Sequence, residues 1–153
     1  MTNKAVLIGI GNIQQHGSFK DLDEALVLMD KATKQAIEDS SKDIINYIDE
    51  IRIPKGFWSY ANPGKWIAQN NNFRTNPITY VTKIGILQQS LFNDAIKSIQ
   101  NGKVNASLIV GGESRYKLIR SFKENKDYKE TPLTSDPNYY LKAESDLYLE
   151  EEI

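Results

Sequence analysis

The stretch that decides the fold is residues 100–114, which read QNGKVNASLIVGGES. Gly102 ends an amphipathic helix, because glycine adopts the left-handed cap of a helix most easily. Residues 106–110 form a short aliphatic run that is typical of a buried strand, and Gly111 and Gly112 predict a turn. A helix that leads directly into a buried strand and a glycine turn is typical of an α/β protein.

The same two periodicities predict further elements on the N-terminal side. Residues 4–10 are continuously aliphatic and end in glycines, as strands covered on both faces do. Residues 48–53 alternate apolar and polar like a half-buried strand, and residues 77–82 are rich in β-branched and aromatic side chains. Helices are predicted over 22–39, 65–69, 87–102 and, as a basic helix, 115–126, with a short helical turn within 40–47. Ser18 or Asp21 is the expected cap of the first helix.

The order of these elements predicts the fold class. Strands and helices alternate, which favours a layered α-β-α domain with a mixed, mainly parallel sheet and right-handed crossovers. We assign residues 1–123 to this α/β domain. Residues 124–153 are predicted to be a polar tail that cannot build a core alone, since they are charged and are broken by Pro132 and Pro137.

Composition limits the function classes. The chain has 153 residues, of which 40% are hydrophobic, enough for one core. A net charge of −1, from 19 basic and 20 acidic residues, argues against a nucleic-acid partner. No cysteine is present, which excludes disulfides, cysteine-ligated metal and thiolate chemistry. The apolar run at 4–10 is too short for a membrane span, and no cleavage site follows it, so we expect a cytoplasmic protein without a membrane partner.

Two local motifs are weak. Gly9 and Gly11 invite a dinucleotide-binding interpretation, but the fingerprint requires a third glycine where the chain has Gln14, so a close turn at the end of a buried strand is the favoured interpretation. His16 is the only histidine and lies in a polar loop, where a solvated side chain is the expected state. One histidine without spaced partners predicts no metal site.

Three motifs in order carry a resemblance to a known family. They are the loop motif Trp58-x-Tyr60-x-Asn62-Pro63, the strand-to-helix segment 82–95, and the turn at 111–114 with Glu113. Over roughly residues 4–115 the chain resembles the N-terminal half of a thiolase. It is most similar to the sterol-carrier-type thiolases and to the thiolase-like proteins often named acetyl-CoA acetyltransferases.

The resemblance implies where a nucleophile would stand. Thiolases carry a cysteine at the start of the helix that follows the third strand, where the helix amides stabilise a thiolate. The corresponding position here is Gly85, which cannot be acylated, so no catalytic residue is assigned. Gln88 and Gln89 stand in place of a Pro-Gln pair of the similar proteins, and Ile84 in place of a glycine. Glu113 is interpreted as a scaffold carboxylate that binds backbone amides.

The resemblance also implies a function and partners. It predicts an acyltransferase-like fragment that acts on coenzyme A thioesters as substrates, with no bound cofactor and no activity in isolation. The alternatives are a non-catalytic acyl-CoA-binding or scaffold subunit, and an unrelated α/β domain that binds a ligand at the carboxyl ends of its strands. Complete family members are more than twice as long and supply a histidine and a second cysteine later. We therefore expect a homodimer through strand 77–82, or a partner that carries the C-terminal half.

Overall fold

A computed structural model describes residues 4–83 and 88–141 of the chain. The predicted α/β class is confirmed, with four helices and four strands in the described part. The elements are α1 (Ala25–Ser40), β1 (Ile48–Ile53), α2 (Pro63–Asn70), β2 (Ile78–Thr82), α3 (Gln88–Gln100), β3 (Ala106–Ile109), α4 (Arg115–Lys123) and β4 (Tyr139–Leu141), with 3₁₀ turns at Phe19–Asp21 and Lys42–Asn46.

The four strands form one sheet in the order β3-β1-β2-β4, and each neighbouring pair is parallel. Ile51 of β1 lies opposite Thr79 of β2 and Leu108 of β3. The expectation that strand 77–82 offers an open edge to a second copy is wrong, because β2 lies between β1 and β4. The edge strands of the described sheet are β3 and β4.

Strand β1 shows how the layers are built. Ile51 and Ile53 belong to the main hydrophobic cluster, which includes Leu26 and Met29 of α1 and Ile67 of α2. Side chains alternate along a strand, so Glu50 and Arg52 point to the opposite face. There Arg52 bonds Glu50, and its guanidinium lies within 3.3 Å of the Ser98 hydroxyl of α3. Helices α1 and α2 therefore cover one face, and α3 covers the other.

Helix α3 ends as the sequence predicts. Gly102 has a φ of 67°, and its amide donates to the Ile99 carbonyl. The next amide, of Lys103, donates to the carbonyl of Ser98. These two bonds satisfy carbonyls that would otherwise have no partner at the helix end. The cap directs the chain back into β3, as the sequence at 100–114 indicates.

The first helix begins later and differently from the prediction. Glu24 occupies the cap position of α1, whereas the Ser18 hydroxyl donates to the Asp21 carboxylate and these two residues close the preceding 3₁₀ turn. The apolar stripe of the helix is confirmed at Leu26 and Met29, which are fully buried.

The prediction of a strand at residues 4–10 is wrong. The segment pairs with no strand among the described residues, and Val6, Leu7, Ile8 and Ile10 are each at least half exposed. Its contacts run instead along α1. The Ile10 amide donates to the Asp39 carboxylate and the Asn12 amide to the Gln35 side chain, both at 2.9 Å.

Gly9 and Gly11 are needed for that contact rather than for a turn. A Cβ at Gly11 would lie 1.9 Å from the Ala32 carbonyl oxygen, and one at Gly9 would lie 2.3 Å from the Ala36 carbonyl oxygen. We name residues 4–12 the N-terminal segment. Its glycines allow the backbone to lie directly on helix α1, and this is a different reason from the predicted close turn.

Part of the region predicted as a polar tail joins the fold. Residues 139–141 form β4 beside β2, and the Thr79 amide donates to the Asn138 side chain at 2.9 Å. Upstream, the Thr131 amide donates to the Glu24 carboxylate at 2.8 Å. The predicted polar character holds, but a short strand is added to an existing sheet. Among the described residues, no helix is both long and apolar enough to cross a membrane.

Candidate functional site

A crevice lies at the carboxyl ends of β1 and β3. Its walls come from the residues that follow β1, from those that follow β3, and from the first turn of α3. Its volume is about 450 Å³. The residues that line it are Pro54, Lys55, Gly56, Gln88, Leu91, Phe92, Ile109, Gly111, Gly112 and Glu113. In parallel sheets with helices on both faces, this end of the strands is where ligands usually bind.

Two loops are fastened together at one side of the crevice. Glu113, after β3, accepts a 2.6 Å hydrogen bond from the Phe57 amide, and Trp58 donates its indole N–H to the Gly112 carbonyl at 3.0 Å. A Cβ at Gly56 would lie 1.9 Å from a Glu113 carboxylate oxygen, so a larger residue there would displace the Glu113 side chain from this position. The scaffold role predicted for Glu113 is confirmed.

Lys55 is the basic side chain of the crevice. Its ammonium group donates to the Trp58 carbonyl at 2.6 Å and lies 4.1 Å from the centroid of the Trp58 ring. Burial lowers the pKa of Lys55, and the charges of Glu130 and Glu113 only partly oppose this effect. No carboxylate of the described residues forms an ion pair with it, in contrast to Lys31 and Lys34.

An apolar cavity adjoins the crevice. It lies beside the open edge of β3, between α1 and α3, and the N-terminal segment forms its outer wall. Its volume is about 530 Å³, and it shares Phe92, Ile109 and Gly111 with the crevice. Ser107 faces this region with a buried hydroxyl that has no hydrogen-bond partner in the described structure. The crevice, which carries the charged side chains of Lys55 and Glu113, and the apolar cavity therefore share one wall.

The aromatic loop of the sequence motif is structural. Trp58 and Tyr60 are buried and stacked at 5.3 Å, and the Tyr60 hydroxyl donates to Glu24 at 2.8 Å. Burial and the Glu24 hydrogen bond raise the pKa of Tyr60. Asn62 caps α2 by accepting from the Lys65 amide at 3.1 Å. These residues hold the crevice wall but do not line the crevice.

Some of the predicted site residues lie in the part of the chain that the structure describes, and others do not. Gly85 lies outside the described residues, so its placement relative to the crevice stays a prediction. Gln88, three residues later, begins α3 and lines the crevice. His16 is exposed and lines neither cavity, in keeping with the predicted solvated state. Within residues 4–83 and 88–141, no group of three or more histidine, aspartate and glutamate side chains is arranged to hold a metal ion.

Comparison with known proteins adds no relative, since no family model, curated protein or solved structure matches the chain.

Sequence reasoning missed Lys55 and Phe92. A signal for Lys55 existed, because a polar residue directly after a predicted parallel strand lies at the ligand-binding end of the sheet. Phe92 had no such signal. On the helical period it is simply one exposed apolar position, 43% accessible, and only the neighbouring β3 edge makes it part of a cavity.

Proposed function

We propose that this chain is a thiolase-like half-domain that binds a coenzyme A thioester without transferring the acyl group to a second substrate. The observation that carries the proposal is that the crevice with Lys55 lies directly beside the apolar cavity and shares Phe92, Ile109 and Gly111 with it. An acyl thioester has the same division, with an apolar chain joined to a polar carrier.

The walls of the apolar cavity suit an acyl chain. Ala36 of α1 and Phe92, Ala95 and Ile96 of α3 face it from opposite layers. Each methylene that enters such an environment gains about 0.8 kcal/mol, so a chain of several methylenes supplies most of the binding free energy.

The crevice suits the carrier end of the ligand. Lys55 supplies one positive charge there beside the Glu113 carboxylate, and the Gln88 side chain of α3 adds a polar group to the wall. The sequence contains no cysteine, so the thiolate step that thiolases use is absent. Binding without transfer to a second substrate follows from these two features together.

Calorimetry with S-alkyl coenzyme A thioethers tests the proposal, because these analogues cannot be cleaved. We expect affinity to rise about fourfold per added methylene, which corresponds to about 0.8 kcal/mol, until the cavity is full. An affinity that does not depend on chain length would overturn the proposal, since the apolar cavity would then hold no acyl chain.

A matched pair of variants locates the chain. Phe92→Ala removes a ring that lines both cavities and should weaken binding of a long-chain thioether by about tenfold, or ~1.4 kcal/mol. Phe122→Ala removes a ring from α4 that lines neither cavity and is 77% exposed, so the affinity should not change. Equal effects of the two substitutions would place the ligand elsewhere.

A further inference from the structure

Lys55 is the one described lysine that lines the crevice, and its surroundings differ from those of the lysines that form ion pairs. Its ammonium group faces a backbone carbonyl and an indole ring, whereas Lys31, Lys34 and Lys129 each face a carboxylate within 3 Å. Burial without an ion-pair partner disfavours the protonated amine, whereas the carbonyl and the indole ring only partly stabilise it.

Its backbone is held firmly in place. The Lys55 amide donates to the Thr82 hydroxyl at 3.2 Å, at the end of the neighbouring strand β2. The following residues are fastened to the loop after β3 through Glu113 and Gly112. The amine is therefore carried by a fixed wall of the crevice rather than by a free surface loop.

We propose that Lys55 accepts the acyl group of a thioester bound in the crevice and becomes an acylated lysine, an inference that rests on the proposed function. Burial lowers the pKa of this side chain and so increases the neutral fraction that can attack. Lys55 is therefore a modification site. It becomes acylated when acyl thioesters are present, in a chain that has no cysteine to accept the acyl group.

The step balances without any further reactant. The lone pair of the neutral amine attacks the thioester carbonyl carbon, and a carbon–nitrogen bond forms as the carbon–sulfur bond breaks. The electron pair leaves with sulfur, and the proton lost by nitrogen converts the released thiolate to the free thiol of coenzyme A. The product is an amide, which is stable to water, so each chain accepts one group and does not turn over.

Lys117 provides a matched control. Its ammonium group also donates to a backbone carbonyl, of Leu22 at 2.7 Å, and also lies near an aromatic ring, of Phe19 at 5.2 Å. It lies on α4 and lines neither cavity. If the crevice matters, Lys55 should react with a thioester and Lys117 should not, although their immediate contacts are alike.

The experiment incubates the full chain with acetyl-CoA and follows each lysine by peptide mass spectrometry. We expect one acetyl group, on Lys55, which is lost in Lys55→Arg and unaffected by Lys117→Arg. Equal labelling of both lysines, or none at Lys55 while exposed lysines are labelled, would overturn the inference.

The pH dependence supplies a readout that a structural role would not change. The charged groups that act on Lys55 are Glu113, from the loop after β3, and Glu130, from the segment before β4; the indole of Trp58 and the Thr82 hydroxyl are neutral. The rate of acetylation should rise with pH to a midpoint below that of free Nα-acetyl-lysine. Glu113→Gln removes a charge that favours the protonated amine and should shift the midpoint lower still. An unshifted midpoint in both proteins would count against the inference.

Two probes separate this inference from the proposed function. If an S-alkyl thioether binds but acetyl-CoA leaves Lys55 unlabelled, the inference fails and the proposed function stands. If the thioether does not bind but the small thioester S-acetyl-N-acetylcysteamine labels Lys55 selectively, the proposed function fails, whereas the acceptor role of Lys55 is supported.

Discussion

Strand β1 and the N-terminal segment both contain isoleucines, but these side chains are buried in β1 and largely exposed in the N-terminal segment. β1 is paired on both sides, and Ile51 is fully buried. The N-terminal segment pairs with none of the strands that the structure describes, and Ile10 is 64% exposed. The more uniformly apolar of the two sequences is the more exposed one. Hydrophobicity indicates which segments can be buried, but backbone pairing and a covering layer on each face decide which are buried.

The largest difference in unfolding free energy between the two regions is expected when one carboxylate in each region is replaced by an amide. Glu50 of β1 is 1% exposed and binds the Arg52 guanidinium at 2.9 Å through both oxygens. Glu50→Gln leaves Arg52 as a buried charge whose remaining carboxylate partner is the more exposed Asp94 at 3.8 Å, so the free energy of unfolding should fall by about 3 kcal/mol.

The matched change is Asp39→Asn, whose side chain still accepts from the Ile10 amide and should change the unfolding free energy by about 0.5 kcal/mol or less. Urea denaturation measures both. Similar losses in the two variants would mean that the N-terminal segment is as tightly held as the central strand.

A smaller effect is expected from removing one methyl group in each region. Ile51→Val leaves a small void in the main hydrophobic cluster, which costs about 0.5–1.5 kcal/mol. Ile10→Val removes the same group from an exposed side chain and should be nearly neutral. The comparison would fail if Ile10→Val cost as much as Ile51→Val in the same denaturation experiment, because Ile10 would then be buried in solution.

Gly11→Ala should have the smallest effect on the unfolding free energy of the whole protein, but it should clearly change the contact between the N-terminal segment and α1. The added methyl group would lie 1.9 Å from the Ala32 carbonyl oxygen, which is part of the helix backbone, so the segment must move away from α1. The unfolding free energy should change by about 1 kcal/mol or less, since few buried contacts are lost.

Hydrogen exchange detects the movement directly. The Ile10 and Asn12 amides, which bond Asp39 and Gln35, should lose protection in Gly11→Ala but keep it in Ile10→Val. Unchanged protection in Gly11→Ala would show that the segment does not rest on the helix.

The elements that could be predicted are those determined by short-range signals. The cap at Gly102 depends on one glycine and its neighbours, and the apolar stripe of α1 depends on a helical period that Leu26 and Met29 already show. The role of Glu113 was predicted from its position in a glycine turn, although the amide that it binds, of Phe57, belongs to the loop after β1. The candidate site could be only partly predicted from such short-range signals, because Lys55 and Phe92 come together from elements far apart in the chain.

Local signals were enough to predict strands β1, β2 and β3, the absence of thiolate chemistry and the end of α3, because each depends on composition or on contacts within a few residues. Only the tertiary structure decided the strand order, the interior position of β2 and the burial of Glu50 with Arg52. The alternating pattern of β1 predicts a polar, solvated face, but α3 covers that face and the two charges satisfy each other. Such outcomes depend on which distant segments meet, and no local pattern in a single chain encodes that choice.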